Sequence, residues 1–312
     1  MLDRLPYFPH DELSGANLDA DLAADVCELS AFFSSNGIFL LTDLRNDIEI
    51  GEDDYLDVDA HNRFGSEPID AAVAVVERRT KLLGEAYPFI LDESGYALTF
   101  QDVSTWGRSG YLLGLILSHL RAVSPVLDEA DLEPSAADQM TLRDWFQKIA
   151  APALAAEICG GTAWAFGHPR PDHSPFLDKL KSIWSTIKDG EVKAEAPVGA
   201  PDKVKDDEVD VIAARPNPDG EPGFPIAVAQ VATGKRWTEK SVKGAVQNVF
   251  FEFWFNDSPS SQVQSYHIIP FVVKSESMRR NTLSLGHIIH RLRIASLLSI
   301  AQIAVAERRI EA

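Results

Sequence analysis

The sequence predicts an α/β chain (α+β overall) in two parts: a mainly helical, acidic domain over residues 1–160, then a domain over 161–312 with the order α-β-β-β-α-β and a long C-terminal helix. Three observations predict it. Apolar residues recur at helical spacing through most of the first 160 residues. Beyond Gly160-Gly161, short β-branched runs alternate with segments rich in proline and glycine. The charge also splits: residues 1–150 carry 28 Asp and Glu against 10 Lys and Arg, whereas 151–312 carry 19 of each, so the net charge of −18 belongs to the first half.

Each element has its own signal. Leu22, Val26, Leu29 and Phe33 share one face of a helix over Leu18 to Phe33, and Gly37 ends it before the strand-like run Ile38 to Leu41. The acidic stretch from Asp43 to Asp59 reads as a solvated loop. Ser66 and Pro68 start a second helix, striped by Ile69, Val73, Val76, Leu82 and Leu83 and ending near Gly84. A helix over Ser109 to Val123 is apolar on nearly every side, as a central core helix requires. Ser135 to Ile158 forms a further long helix closed by Gly160-Gly161, and Ala163 to Phe166 leads into the turn Gly167-His168-Pro169-Arg170-Pro171.

In the second half, Phe176, Leu177, Leu180, Ile183, Trp184 and Ile187 make an amphipathic helix from Pro175 to Lys188, and Glu191 to Glu195 is a short strand. Val209 to Ala213 and Pro225 to Val231 read as a hairpin, because Pro216, Pro218, Asp219-Gly220 and Pro222-Gly223 between them cannot continue a sheet. Trp237 to Phe253 is then expected as a helix, Tyr266 to Val273 as a strand and Leu283 to Arg309 as one long helix.

Composition excludes several classes. With 312 residues, 45% hydrophobic and 24% charged, the chain can bury a sizeable core and is not disordered. Its longest nearly uninterrupted apolar run, Tyr111 to Leu117, is far short of the roughly 20 residues of a spanning helix. Met1-Leu2-Asp3-Arg4 lacks the basic and apolar regions of a signal peptide, so a soluble cytoplasmic protein is expected. Two cysteines, Cys27 and Cys159, in apolar helical surroundings read as small buried thiols. The acidic half would repel a phosphate backbone and is expected to be a regulatory or partner-docking module. The neutral half can present a basic groove through Lys235, Arg236, Lys240 and Lys243.

Chemistry concentrates at the hairpin. Asp210 interrupts an apolar strand start, Gln230 closes the next strand after a mostly apolar run, and Lys235 follows five positions later. Adjacent strands can bring the three together. A carboxylate with an amide oxygen at a sheet end makes part of an octahedral shell for Mg²⁺ (or Mn²⁺), completed by water and phosphate oxygens. A nearby ammonium would position the attacking water and offset charge on the transition state.

The α-β-β-β-α-β order, with Glu208-Val209-Asp210-Val211 on one strand and Ala227-Val228-Ala229-Gln230 on its partner, resembles the PD-(D/E)xK restriction-endonuclease-like superfamily over about residues 173–275. Within it, the segments KDDEVDVIA, GFPIAVAQVATGKRW, AFGHPR and EAYPF are similar to nuclease-like proteins associated with prokaryotic anti-phage defence. The resemblance implies a metal-dependent nuclease acting on nucleic acid, DNA in the first instance, with Asp210 as the metal-binding aspartate and Gln230 in the (D/E)xK element. Ala232 stands where the motif lysine belongs, so the role passes to Lys235. Glu191 resembles the acidic residue contributed before the hairpin, with Asp178 as its alternative. The neutral Gln230, the displaced lysine and the overall acidity also suit an inactive fold that serves as a binding or scaffolding subunit.

Other motifs point elsewhere only weakly. Gly234-Lys235 is followed by Arg236 rather than Ser or Thr, so it is not a phosphate-cradling loop. Cys159, His168 and His173 lack a fourth zinc ligand. Gly107-Arg108-Ser109-Gly110 lacks the spacing of a nucleophile elbow.

Overall fold

A computed structural model describes residues 5–8, 19–44, 67–127, 135–170, 172–201, 204–234, 236–245 and 249–310. The chain is mixed α/β and divides into two units, residues 1–142 and 143–312.

In the first unit α1 (Ala20–Phe33) is capped by Asp19, whose carboxylate accepts from the Asp21 N–H at 3.0 Å. It is followed by β1 (Ile38–Leu40), α2 (Glu67–Leu83), β2 (Phe89–Leu91), β3 (Ala97–Phe100), α3 (Trp106–Ser118) and α4 (Leu120–Leu127). The strands form an antiparallel sheet in the order β1-β3-β2. The single helix expected over Ser109 to Val123 is two, because the chain breaks at His119, whose ring Nε2 lies 2.7 Å from Asp25 Oδ2. Most of the stretch from Asp43 to Asp59, and Ser66, lie outside the described residues.

Two acidic residues of this unit, Asp25 and Glu28, are buried, and a third, Asp21, stands at the margin. Arg79 is fully buried and reaches Asp25 at 2.7 Å, Glu28 at 2.6 Å and Asp21 at 3.0 Å. The Tyr87 and Tyr111 hydroxyls donate to the two Glu28 oxygens at 2.6 and 2.7 Å. Burial alone would pull the Arg79 pKa down, but the field of Glu28, followed by Tyr111 and Asp25, drives it well above its ordinary value, so the guanidinium stays charged. Removing one partner of such a cluster strands the other charges in the interior. Arg79→Ala is therefore expected to lower unfolding free energy by about 3–5 kcal/mol, read from urea denaturation of the whole chain.

The boundary falls inside α5 (Ala136–Glu157) rather than after residue 160, since the buried side chains of α5 (Phe146, Ala150, Ala153, Leu154) all lie beyond Leu142. The second unit continues with β4 (Thr162–Ala165), α6 (Phe176–Ile187), β5 (Glu191–Val192), β6 (Val211–Ala214) and β7 (Ile226–Val231). A 3-10 turn (Trp237–Glu239), α7 (Val242–Ala245), α8 (Phe251–Trp254), β8 (Phe255–Asp257) and β9 (Val263–Ile268) follow, then α9 (Ser275–Leu285), β10 (His287–Ile289) and α10 (Arg291–Ile310). The main sheet has the order β10-β9-β7-β6-β4. The β4/β6 and β6/β7 pairs are antiparallel, and β7/β9 and β9/β10 are parallel.

The expected hairpin is present, with Val211 opposite Ala229 and Ala214 opposite Ile226. Leu180, Ile183, Trp184 and Ile187 of α6 share one core with Ile212, Ile226, Val228, Phe250, Phe251 and Trp254. Four expectations change. The strand at Glu191 is two residues long and pairs with β8 in a separate two-stranded sheet, while β4 takes the place beside β6. The Trp237 to Phe253 helix is replaced by shorter helical pieces. The C-terminal helix is interrupted at Gly286: its φ is +90°, and a Cβ there would meet the Ser265 carbonyl of β9, so only glycine lets the chain come close enough to add β10. Cys159 is exposed, just beyond α5, whereas Cys27 is buried as expected.

Candidate functional site

The site lies where β6 begins and β7 ends. Asp210 is tied to the sheet by its own N–H, which donates to the Ala229 carbonyl at 2.8 Å, and by its carbonyl, which accepts from the Phe166 and Gly167 N–H groups, each at 2.8 Å. Continuing the β6/β7 register one residue places Asp210 across from Gln230, and Gln230 is the direct partner of His267 on β9. Direct partners point to the same face of a sheet. Asp210, Gln230 and His267 therefore form one polar row at the end of the apolar face that packs on α6.

The row is held from several sides. Asp210 Oδ2 accepts from the Val231 N–H at 2.8 Å, and Oδ1 has only a long contact, 3.4 Å, from the Gln147 amide. Gly167 makes the approach possible, because a Cβ there would stand 2.5 Å from Asp210 Oδ1 and would overlap the Gln147 amide. The Gln230 amide donates to Glu208 Oε2 at 2.6 Å, which leaves Oε1 facing inward, buried and without a hydrogen-bond partner among the described residues. Asp207 and Glu208 reach this position through left-handed backbone, φ 51° and 69°, with the Asp207 carboxylate anchored by the Trp254 indole N–H at 2.7 Å. Such conformations are costly for residues with side chains and gather at functional sites.

Burial pushes the Asp210 carboxyl up to about 7. The Val231 N–H and Lys240 pull it down, and Asp206 and Glu208 push it further up. The carboxylate thus lacks a full counter-charge. Two oxygens remain for a cation, Asp210 Oδ1 and Gln230 Oε1, and a site short of positive charge but supplied with bare oxygens fits a divalent ion. Among the described residues no group of three or more His, Cys, Asp or Glu side chains is placed to hold a metal, so the donor set is a mixture of carboxyl and amide, and Cys159, His168 and His173 form no zinc site.

The other expected residues are dispersed. Glu191 sits on β5, outside the main sheet, exposed, and accepts from the Asn256 amide at 3.3 Å, so it does not stand in the row with Asp210 and Gln230. Asp178 is in the first turn of α6. Lys235 lies outside the described residues. Arg236 is exposed, 3.9 Å from Glu239, Lys240 is exposed, and Lys243 donates to the Leu283 carbonyl at the end of α9 at 2.9 Å. Sequence reasoning missed Glu208, Gln147, Gly167 and His267. Only Glu208, two residues before Asp210 in a strand entry, carried a local signal.

No protein-family model matches this chain, and no match is found among curated proteins or among solved structures. No helix among the described residues is long and apolar enough to cross a membrane.

A carboxyl whose pKa rises on folding holds its proton more tightly in the native state, so its contribution to stability falls as pH climbs from the ordinary 3.8 to about 7 and stays low above that. Asp210→Asn keeps an acceptor for the Val231 N–H and removes the buried charge. Its midpoint in thermal unfolding is expected to exceed that of the wild type at about pH 8, with the difference shrinking toward about pH 5. A difference that does not change with pH would place the carboxyl in water.

Proposed function

We propose that the second unit is a metal-dependent phosphodiesterase that hydrolyses nucleic acid, with DNA as substrate and prokaryotic anti-phage defence as the setting the resemblance implies. The observation that carries this reading is the antiparallel pairing of β6 and β7, which sets Asp210 and Gln230 side by side at one end of a mixed sheet flanked by α6 and α8. The restriction-endonuclease-like arrangement is part of the proposal: β4, β6, β7 and β9 run antiparallel, antiparallel and parallel across the sheet, with β4 standing in for the strand expected at Glu191.

In this reading Asp210 and the Gln230 amide oxygen hold Mg²⁺ or Mn²⁺. When bound, the ion would polarise the scissile phosphate and lower the pKa of an attacking water. Glu208 orients the Gln230 amide so that its oxygen, not its nitrogen, is offered. The Val231 N–H fixes one Asp210 oxygen and leaves the other. Lys235 positions the water, and Arg236 and Lys240 face solvent, where they can meet backbone phosphates. With one carboxylate fewer than an all-acidic set, the site should hold Mg²⁺ weakly and work better with Mn²⁺, which tolerates mixed ligands.

Purified protein incubated with plasmid, linear DNA and RNA is expected to cleave in Mn²⁺ more than in Mg²⁺ and to stop in excess chelator. Asp210→Ala and Lys235→Ala should each remove cleavage while the circular dichroism spectrum is kept, and Gln230→Glu should keep or raise metal affinity. Cleavage in chelator, or full activity in Asp210→Ala, would refute the reading. The hydrogen bonds already made by Asp210 favour a second reading, an inactive fold that serves as a binding or scaffolding subunit. Nucleic-acid binding without cleavage in either metal would select it.

A further inference from the structure

We infer that His267 is a nitrogen ligand in the same row as Asp210 and Gln230, and that the site takes a first-row transition ion such as Mn²⁺ in preference to Mg²⁺. The inference rests on the phosphodiesterase reading and adds to it a residue and a metal class.

His267 is fully buried and Gln230 is 4% exposed, side by side on parallel strands. The ring Nε2 lies 3.1 Å from the Trp237 carbonyl. A carbonyl only accepts, so Nε2 carries the proton and Nδ1 is a bare lone pair. Nδ1 has no hydrogen-bond partner among the described residues, and neither has Gln230 Oε1, whose amide nitrogen is committed to Glu208. Two residues that pair directly across β7 and β9 thus each hold a bare acceptor in the interior, and the next strand adds the Asp210 carboxyl. A cation answers several acceptors at once.

The chemistry of the set chooses among cations. Mg²⁺ takes oxygen, whereas an imidazole nitrogen beside amide and carboxyl oxygens suits first-row transition ions such as Zn²⁺ and Fe²⁺, with Mn²⁺, the most oxygen-preferring of that row, accepting such a mixed set more readily than Mg²⁺ does. The ring is also prepared for the task. Its Nε2–H is fixed on a backbone carbonyl, the outer bond that metal-bound histidines usually make, and the Trp237 indole lies over it with centroids 5.9 Å apart and planes inclined 35°. Burial, and after it the Lys240 charge, against the Trp237 hydrogen bond, push the His267 pKa down to about 4, so the ring is neutral near pH 7.

The test uses Mn²⁺ alone, titrated into the whole chain, with pulsed EPR reading nitrogen coupling to the ion. The wild type is expected to show such a coupling, which changes when only histidine carries the heavy nitrogen isotope. In His267→Gln the coupling should disappear and Mn²⁺ binding weaken by about tenfold or more. Isotope labelling leaves the fold untouched. If His267→Gln does not fold, glutamine replacements of the other seven histidines, one at a time, make the same assignment by leaving the coupling intact, and its loss in any one of them overturns the proposal. Bound Mn²⁺ without histidine coupling, together with Mn²⁺-dependent cleavage, overturns the His267 assignment and leaves the phosphodiesterase reading standing. Neither binding nor cleavage in Mn²⁺ overturns both.

Discussion

The second unit is organised around β7. This strand is hydrogen-bonded on both sides, antiparallel to β6 and parallel to β9, and every side chain from Ile226 to Gln230 is buried. A one-residue slip in either pairing would turn Ile226 and Val228 away from α6 and bring the opposite set of side chains inward. The core therefore fixes the register, and the register in turn fixes which polar residues meet. Asp210, Gln230 and His267 stand in one row because Ile212 and Ala214 of β6, Ile226 and Val228 of β7 and Val263 of β9, on the same face of their strands, must face α6 and its neighbours. The chemistry at the sheet end depends on packing in the sheet middle.

This dependence explains what was legible in the sequence. The hairpin could be read because turn residues from Pro216 to Gly223 separate two apolar runs, and Asp210 and Gln230 could be read because each is a polar residue in an apolar strand. His267 could not, since in Gln264-Ser265-Tyr266-His267 a histidine looks like ordinary alternation, and its significance comes only from pairing with β7. The position of β4 was hidden for a related reason: four residues without clear alternation find their partner only after α6 and β5 have intervened. At Gly286 one residue without a Cβ converts an expected continuous helix into helix, strand and helix, and periodicity cannot register a close approach between backbones.

The first unit shows a different limit of composition. A formal charge of −18 counts carboxylates without regard to where they sit. Asp25 and Glu28 are buried on Arg79, with Asp21 at the margin, and two tyrosine hydroxyls complete the Glu28 shell. These residues are internal counter-charges and contribute little to a field that partners or nucleic acid would feel. The repulsion inferred from the total is carried by the exposed acids alone. Groups that share buried charge in this way are strongly interdependent, because each charge is tolerable only while the others remain.

Buried acceptors are met around Glu28 and unmet at the end of β7, and the contrast bears on the proposed site. Around Glu28 two tyrosine hydroxyls and a guanidinium meet the two carboxylate oxygens. At the end of β7, Gln230 Oε1 and His267 Nδ1 are left without donors, at roughly 1–3 kcal/mol for each buried unsatisfied group. Two successive non-glycine residues, Asp207 and Glu208, add left-handed backbone at about 1–3 kcal/mol apiece. Valine at 230 and 267 would continue the strands without the two unsatisfied groups. Unmet acceptors and left-handed backbone thus gather at one end of two adjacent strands, with the Ser265 hydroxyl of β9 and His290 Nδ1 also buried and without a partner among the described residues, and a cation drawn to bare acceptors is a physical means of offsetting what the fold leaves unmet there.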